Sequence, residues 1–569
     1  MAKSASALGE ANRKFQVRPE KKVDSTKEAI ASLTPELVVA LCGPIGSPLH
    51  ETARQIKHTL SEFGYTTEIL RLSLVIRDNA TEVGRPIDLS SKFDERRSLI
   101  AAGDELRGRF GNDILAKLAI AKISADRRKG YGEFNDKAAE SKLPAKSQII
   151  NQRVCHVIDS IKNKAELDLL RLVYGDALYA VGVFSPLEVR RKNLQQPGEL
   201  NKEDVKKLID TDSGEEFSYG QSVRDTFPRC DYFLRVDYPL VPPSEDDANG
   251  QIVKKLRRLF GLIFRTTVET PTAEETAMYA SASAARNSAC ISRQVGAAVT
   301  SRTGEVLAVG WNDVPRYGGG LYGKPPLDHS VDDRTAKLDE RCFALTGAKC
   351  HNDEEKKLVS ELVVASLVAK SIIPPEKKVD AENAIRSDTR IKDLIEFSRA
   401  VHAEMHAILG ACRVAGDRVV GGKLFVTTYP CHSCARHIVA AGISEIYFIE
   451  PYRKSLATKL HPDALSESVT EVTKVRLLQF DGVAPRRFID MFEAGDRKSH
   501  GVLRLRPKKD ASPANQVSLK AIPRLEEAVI AELSSEQLQF PSLINAEDRI
   551  HGNDTNPPFD PSSSGPAAA

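Results

Sequence analysis

Short unbroken apolar runs alternate along this chain with stretches that carry apolar residues on one helical face. Leu37–Cys42 is such a run; Gly43-Pro44-Ile45-Gly46-Ser47 follows, and Ala53, Ile56, Leu60 and Phe63 then recur at helical spacing. The pattern predicts a strand, a glycine turn and a helix. A second strand over 67–72 follows at a distance that suits a parallel βαβ unit. Next come a charged helical stretch over 92–123, a buried strand over 153–159 ending in Asp159, a helix over 165–174 and a strand over 177–183. Alternation of this kind predicts an open, mostly parallel sheet.

A turn-rich acidic segment over 244–250 leads into a basic amphipathic helix over 254–264, and the pattern restarts after Glu269-Thr270-Pro271-Thr272. The second half predicts a helix over 273–285 and strands over 294–298, 305–310, 423–428 and 445–449, with helices starting near His402 and Cys431. The expected organisation is therefore a flexible arm at 1–35, one α/β domain at 36–268, a second at 269–507 with a long charged insertion at 316–398, and a mostly disordered tail at 508–569. That tail holds one amphipathic stretch, 525–533. A chain of 569 residues exceeds what a single core usually organises, so two domains agree with its length.

Composition narrows the functional classes. Hydrophobic residues at 41% and charged residues at 28% suit a soluble globular protein rather than a disordered one. Lys and Arg number 81 against 78 Asp and Glu, so no overall basic field recruits nucleic acid, and any polyanion site must be local. No apolar run approaches a membrane span of roughly 18 to 20 residues, and the N-terminal residues lack an apolar signal core, so a cytosolic protein without membrane contact is expected. Nine irregularly spaced cysteines read as reduced thiols rather than as a disulfide framework.

The chemistry concentrates in two short segments, Val401-His402-Ala403-Glu404 and Tyr429-Pro430-Cys431-His432-Ser433-Cys434. Together they form the H-x-E and P-C-x-x-C pair of zinc nucleobase deaminases. Cysteines three apart at a helix N-terminus project on one face, where the helix end and a cation both favour thiolate. Pro430 suits the entrance to that helix. His402, Cys431 and Cys434 make three ligands for Zn2+ and leave a fourth position for water, as catalytic zinc sites do. Glu404, two residues beyond the histidine, turns away from the metal toward that water and is the expected proton shuttle. A closed zinc knot, with His406 as fourth ligand, and simple core cysteines are the structural alternatives; otherwise His406 packs along its helix.

Beyond those motifs, Ala285-Arg286-Asn287-Ser288, Ser292 through Ala297 and Gly310-Trp311-Asn312-Asp313 resemble the deoxycytidylate deaminase branch of the superfamily. The resemblance covers roughly residues 273–460 apart from the insertion. It implies a three-layer α/β/α domain and a free deoxycytidine nucleotide, dCMP or dCTP, as substrate. Asn312 matches a residue that contacts the sugar in that family, and Arg453 and Lys454 fall where substrate-facing residues lie and are candidate phosphate contacts. Asn312 as a strand-end turn residue and Arg453-Lys454 as solvated surface are the plainer readings. Self-association is expected, because related deaminases are commonly oligomeric.

The first half is similar to P-loop nucleotide kinases, through Gly43, Gly46 and Ser47 after one strand and Asp159 closing another. The lysine that G-x-x-x-x-G-K-[ST] requires is missing, which speaks against phosphoryl transfer. Backbone donors at a helix N-terminus still hold anions, so a regulatory nucleotide site is an alternative to a purely structural domain. A kinase-like domain joined to such a deaminase resembles bacterial deaminases that defend against phage by draining the deoxycytidine nucleotide pool. Cys342 and Cys350-His351 in the insertion could hold a second metal or belong to a lid, with structural thiols as the alternative. Two rival functions stay open, a tRNA or single-stranded DNA base deaminase and a nucleotide-binding switch with a scaffold deaminase domain.

Overall fold

The computed structural model describes residues 25–131, 152–195, 200–212, 222–323, 339–345, 347–450 and 455–535. Strands β1 (Leu37–Cys42), β2 (Thr66–Arg71), β3 (Val154–Ile161), β4 (Leu178–Phe184) and β5 (Tyr232–Arg235) build the first sheet. They run parallel in the order β5-β4-β1-β3-β2. Every residue of β1 is buried: Leu37, Val39 and Leu41 face the helices Leu49–Ser61 and Glu245–Phe264, while Val38, Ala40 and Cys42 face the opposite layer. Burial on both faces is why this strand reads as continuous rather than alternating. The helical stretch expected over 92–123 is two helices, Lys92–Phe110 and Ile114–Tyr131, separated at 111–113.

The second sheet contains β6 (Gly296–Thr300), β7 (Val306–Trp311), β8 (Lys423–Thr428), β9 (Glu445–Glu450), β10 (Leu465–Ser466) and β11 (Val475–Gln479), in the order β10-β11-β9-β8-β6-β7. β8 through β11 are parallel, and β6 pairs antiparallel with both β7 and β8. Ala297 and Val299 face the helices Ala403–Ala415 and His432–Ala440, whereas Ala298 and Phe425 join the core that includes Ala277 and Met278 of the helix Ala273–Ala285. The result is three layers, α/β/α.

The two halves share a core. Ala298, Phe425 and Phe480 belong to the same hydrophobic cluster as Val38, Ala40 and Phe233 of the first sheet. β12 (Gly482–Val483) leaves the second unit and pairs antiparallel with β5, extending the first sheet. Arg258 grips Glu275 through two hydrogen bonds of 2.7 Å, and Glu275 also accepts the N–H groups of Thr272 and Val483 at 2.8 Å. A boundary near residue 269 therefore lies inside a packed junction rather than in a loose linker.

Both ends of the described chain are also more ordered than the sequence predicts. Leu33–Thr34, at the end of the expected arm, pairs antiparallel with Val517–Ser518. The helix Ile522–Ser535 packs back on Ile114–Tyr131, and its Glu526 is buried against Arg127 and the Tyr174 hydroxyl. Ile522, Val529 and Leu533 bury their side chains there, each such burial contributing on the order of 1.5–3 kcal/mol. Apolar spacing every three to four residues over 522–533 gives that helix a face to bury, which a disordered tail lacks.

Candidate active site

Two helix starts and one strand crossing assemble the site. His402 is the extended residue that caps Ala403–Ala415, and Cys431 caps His432–Ala440, its Sγ accepting the Cys434 N–H at 3.4 Å. Pro430 thus stands just outside the helix rather than in its first turn. Strand β7 crosses the helix Ala403–Ala415 at Gly310, where a Cβ would lie 2.4 Å from Ala407 N and 2.5 Å from the Ala403 carbonyl oxygen. A glycine there lets the strand backbone rest on the first turn of the helix, which sets the position of Glu404.

Nδ1 of His402 lies 3.2 Å from Cys434 Sγ and 3.4 Å from Cys431 Sγ, and the three donor atoms fall within 4.8 Å of one another. Ions that bind sulfur at about 2.3 Å and imidazole nitrogen at about 2.0–2.1 Å suit this set. Hydrogen bonds from Cys434 and His402 hold the Cys431 thiol well below its ordinary range. Its hydrogen bond with Cys431 raises the His402 imidazole to about 9. Its own hydrogen bond with Cys431, together with burial, pushes the Cys434 thiol up. Glu404 is buried, 5% exposed, and loss of water raises its carboxyl above the usual range. It is not among the clustered donors and stands beside them, as a proton carrier requires.

His406 turns away from the cluster. Its Nδ1 accepts the Trp311 N–H at 3.2 Å, and its ring meets the Trp311 ring edge-on with centroids 4.7 Å apart. Asn312 is buried at the end of β7: Oδ1 accepts from Val295 N at 2.7 Å and Nδ2 donates to the Arg293 carbonyl at 2.8 Å. Its carboxamide therefore braces the loop before β6 and keeps one further donor and acceptor for a ligand. Arg453 and Lys454 lie outside the described residues.

A cavity of about 360 Å³ opens on Glu404, His402, Cys431 and Asn312. This volume is within the range of small-ligand pockets, about 300–1,000 Å³. Parts of the chain that the sequence did not associate with the site also wall it: Cys350, His351 and Lys356 from the insertion, and Arg224 from the first domain. The insertion is tied down at the rim by Cys350 Sγ to Ser292 Oγ at 3.3 Å and by Glu396 to His432 Nε2 at 3.3 Å. The neighbours Cys350-His351 were visible in the sequence as a pair. No local motif marks Arg224, because Val223–Thr226 is a single turn whose position depends on the packing of the two domains.

The candidate nucleotide residues of the first domain also meet. Gly43, Gly46 and Ser47 lie between β1 and the helix Leu49–Ser61, beside β3 and β4, where the order of parallel strands reverses around β1 and ligand crevices form. Gly46 has φ +83°, and a Cβ on it would approach the Arg190 carbonyl oxygen to 2.8 Å. Asp159 pairs with His50 on the helix that follows the loop, and Lys162 Nζ donates to the Gly43 carbonyl at 2.7 Å. The loop lacks its own lysine but is reached by one from the end of β3.

Three potential ligand atoms of two types at two helix starts, with a buried carboxylate beside them, are of the kind that zinc nucleobase deaminases use. Residues 271–450 match the family model described as the cytidine and deoxycytidylate deaminase zinc-binding region. ComE operon protein 2 of Bacillus subtilis (strain 168) is 42% identical over 67 residues, 12% of this chain and 32% of that protein. Deoxycytidylate deaminase of Enterobacteria phage T2 is 33% identical over 84 residues, 15% of this chain and 43% of that protein. The corresponding enzyme of Enterobacteria phage T4 is 40% identical over 55 residues, covering 10% and 28%. The chain thus spans less than half the length of these curated relatives. A solved dCMP deaminase of cyanophage S-TIM5, in complex with dCMP and dUMP, aligns over 37% of this chain and 99% of its own at 18% identity, with a TM-score of 0.21. No helix among the described residues is long and apolar enough to cross a membrane.

Proposed function

We propose that this protein hydrolyses the amino group from free deoxycytidine nucleotides, dCMP or dCTP, yielding the uracil nucleotide and ammonia. The observation that carries this reading is the convergence of His402, Cys431 and Cys434 near the buried Glu404, with His402, Cys431 and Glu404 lining the cavity. A zinc ion held by those three residues would supply a water acidic enough to attack at neutral pH. Glu404 takes a proton from the attacking water and delivers it to the ring nitrogen next to carbon 4. Carbon 4 gains the oxygen, the amino group accepts a proton and leaves as ammonia, and a carbonyl remains. The raised carboxyl of Glu404 suits a group that must hold a proton part of the time.

The walls from the insertion and the first domain favour a ligand of nucleotide size over a polymer. The glycine loop at 43–47, with Asp159 and Lys162 beside it, supports a P-loop kinase-like domain that binds a regulatory nucleotide. In a cell such an enzyme would drain the deoxycytidine nucleotide pool, and defence against phage is the role we assign to it. Ammonia release and uracil-nucleotide formation from dCMP, dCTP, CMP, cytidine and a cytosine oligonucleotide, measured with zinc content, test the reading. Turnover of dCMP or dCTP supports it; turnover of the oligonucleotide alone replaces it with nucleic-acid deamination.

A further inference from the structure

The deaminase cavity is not built by the deaminase unit alone. Arg224 stands on the turn Val223–Thr226 of the first domain, yet it lines the cavity together with Arg293, which precedes β6. Glu450, at the end of β9, pairs with Arg293 and lies 3.9 Å from Arg224 Nε, so the two guanidinium groups flank one carboxylate. The two arginines keep 41% and 42% of their side chains exposed, so a ligand can reach them while Glu450 orients Arg293. Arg293 is fixed next to the expected sugar contact, because its carbonyl receives the Asn312 carboxamide.

Other charges on the cavity wall are spent on structure. Arg341 is held by Asp339 and Asp313, and Lys356 Nζ donates to the Lys392 carbonyl. Arg224 is carried on a stiff mount at the cavity wall. Val223, Thr226 and Phe227 around it are buried, and Thr226 Oγ1 closes the turn on the Ser222 carbonyl at 2.8 Å. A guanidinium presents five donors in a planar fork that matches phosphate oxygens, and two such forks around one carboxylate can share a phosphate without leaving it.

We propose that Arg224 and Arg293 form the phosphate subsite of the deaminase cavity, so that the first domain completes the substrate site. This rests on reading the cavity as a nucleotide pocket. It also gives the shared core a functional reason, since a rotation of one domain against the other would withdraw Arg224. Its turn is tied to the glycine loop of the first domain: Ser222 N donates to the Lys162 carbonyl at 2.7 Å, and Lys162 Nζ donates to Gly43.

The test compares wild type, R224A, R224K and R293A on dCMP, dCTP and deoxycytidine, with thermal melting and zinc content to confirm folding. R224A should raise KM for both nucleotides at least tenfold while leaving KM for deoxycytidine within a factor of two, and R224K should recover part of the loss. An equal loss on nucleoside and nucleotide would assign Arg224 a purely structural role, and unchanged KM values would likewise overturn the proposal. Should wild type release no ammonia from any of these substrates, the deaminase reading fails by itself. Calorimetric binding of dCMP and deoxycytidine to the zinc-loaded proteins then decides: selective loss of dCMP affinity in R224A supports the subsite, and equal affinities refute it.

Discussion

Asn312 donates from its carboxamide to the carbonyl of Arg293 at 2.8 Å, joining the end of β7 to the segment that enters β6. A residue that resembles a sugar contact thus also shapes the wall on which Arg293 stands. N312A removes both functions. We expect kcat/KM for the nucleotide to fall about 10- to 100-fold, or roughly 1.4–2.8 kcal/mol, with zinc content unchanged. Steady-state kinetics beside metal analysis checks this; normal kinetics would place the sugar contact elsewhere.

Glu404 and Cys431 should separate chemistry from metal binding. E404Q keeps the size of the side chain but cannot carry the proton, so zinc should stay and kcat should fall about 10²- to 10⁴-fold. C431A removes one of three donors and the cap of the helix His432–Ala440, so zinc and activity should disappear together. Turnover of either variant at the wild-type rate would contradict the assigned roles.

How much of this was legible in the sequence follows from the range of the interactions involved. His402, Glu404, Cys431 and Cys434 could be read because short spacing on a helix start fixes their geometry locally. Strands β8 and β9 could be read because unbroken apolar runs are bounded by turns. Arg224 could not, since it reaches the cavity only through tertiary packing between domains. The same holds for Gly482–Val483, two residues too short to show a pattern that nevertheless add a strand to a sheet 250 residues earlier. The helix Ile522–Ser535 was visible as an amphipathic stretch, but its docking depends on the distant Arg127. The tail expected from 508 onward is therefore folded through 535.

The junction between the domains should be sensitive to Arg258. Glu275 is fully buried, and two of its contacts are backbone N–H groups that remain when the arginine is removed. R258A leaves a buried carboxylate without its counter-charge and should cost about 2–4 kcal/mol. R258K restores a charge but not the planar fork and should fall between the two. Urea unfolding followed by tryptophan fluorescence checks the order, since the single tryptophan, Trp311, reports on the second unit.

Glu526 should stabilise the first domain from the far end of the described chain. It pairs with Arg127, which also pairs with Glu36, and it accepts the Tyr174 hydroxyl at 3.1 Å. E526A leaves the Arg127 guanidinium buried with one partner fewer and opens a gap under the helix, which should cost about 3–5 kcal/mol. E526Q keeps an acceptor for Tyr174 and should cost less. Zinc content should be the same in both variants, because the proposed metal ligands belong to the other unit; denaturant midpoints and metal analysis measure the two effects separately.

His156 should make the protein acid-sensitive before most carboxylates titrate. Burial in β3, with the positive Arg127 nearby, lowers its imidazole from 6.5 to about 4. As pH falls through the interval from 6.5 to 4 the unfolded chain binds a proton that the folded chain refuses, so stability falls with it. The contribution is fully present above pH 6.5, and at pH 5 about 2 kcal/mol of it is gone. H156Q carries no titrating group and should lose less stability than wild type between pH 8 and pH 5, by about that amount. Urea midpoints of both proteins across this range measure it; parallel curves would show that the imidazole becomes protonated inside the fold.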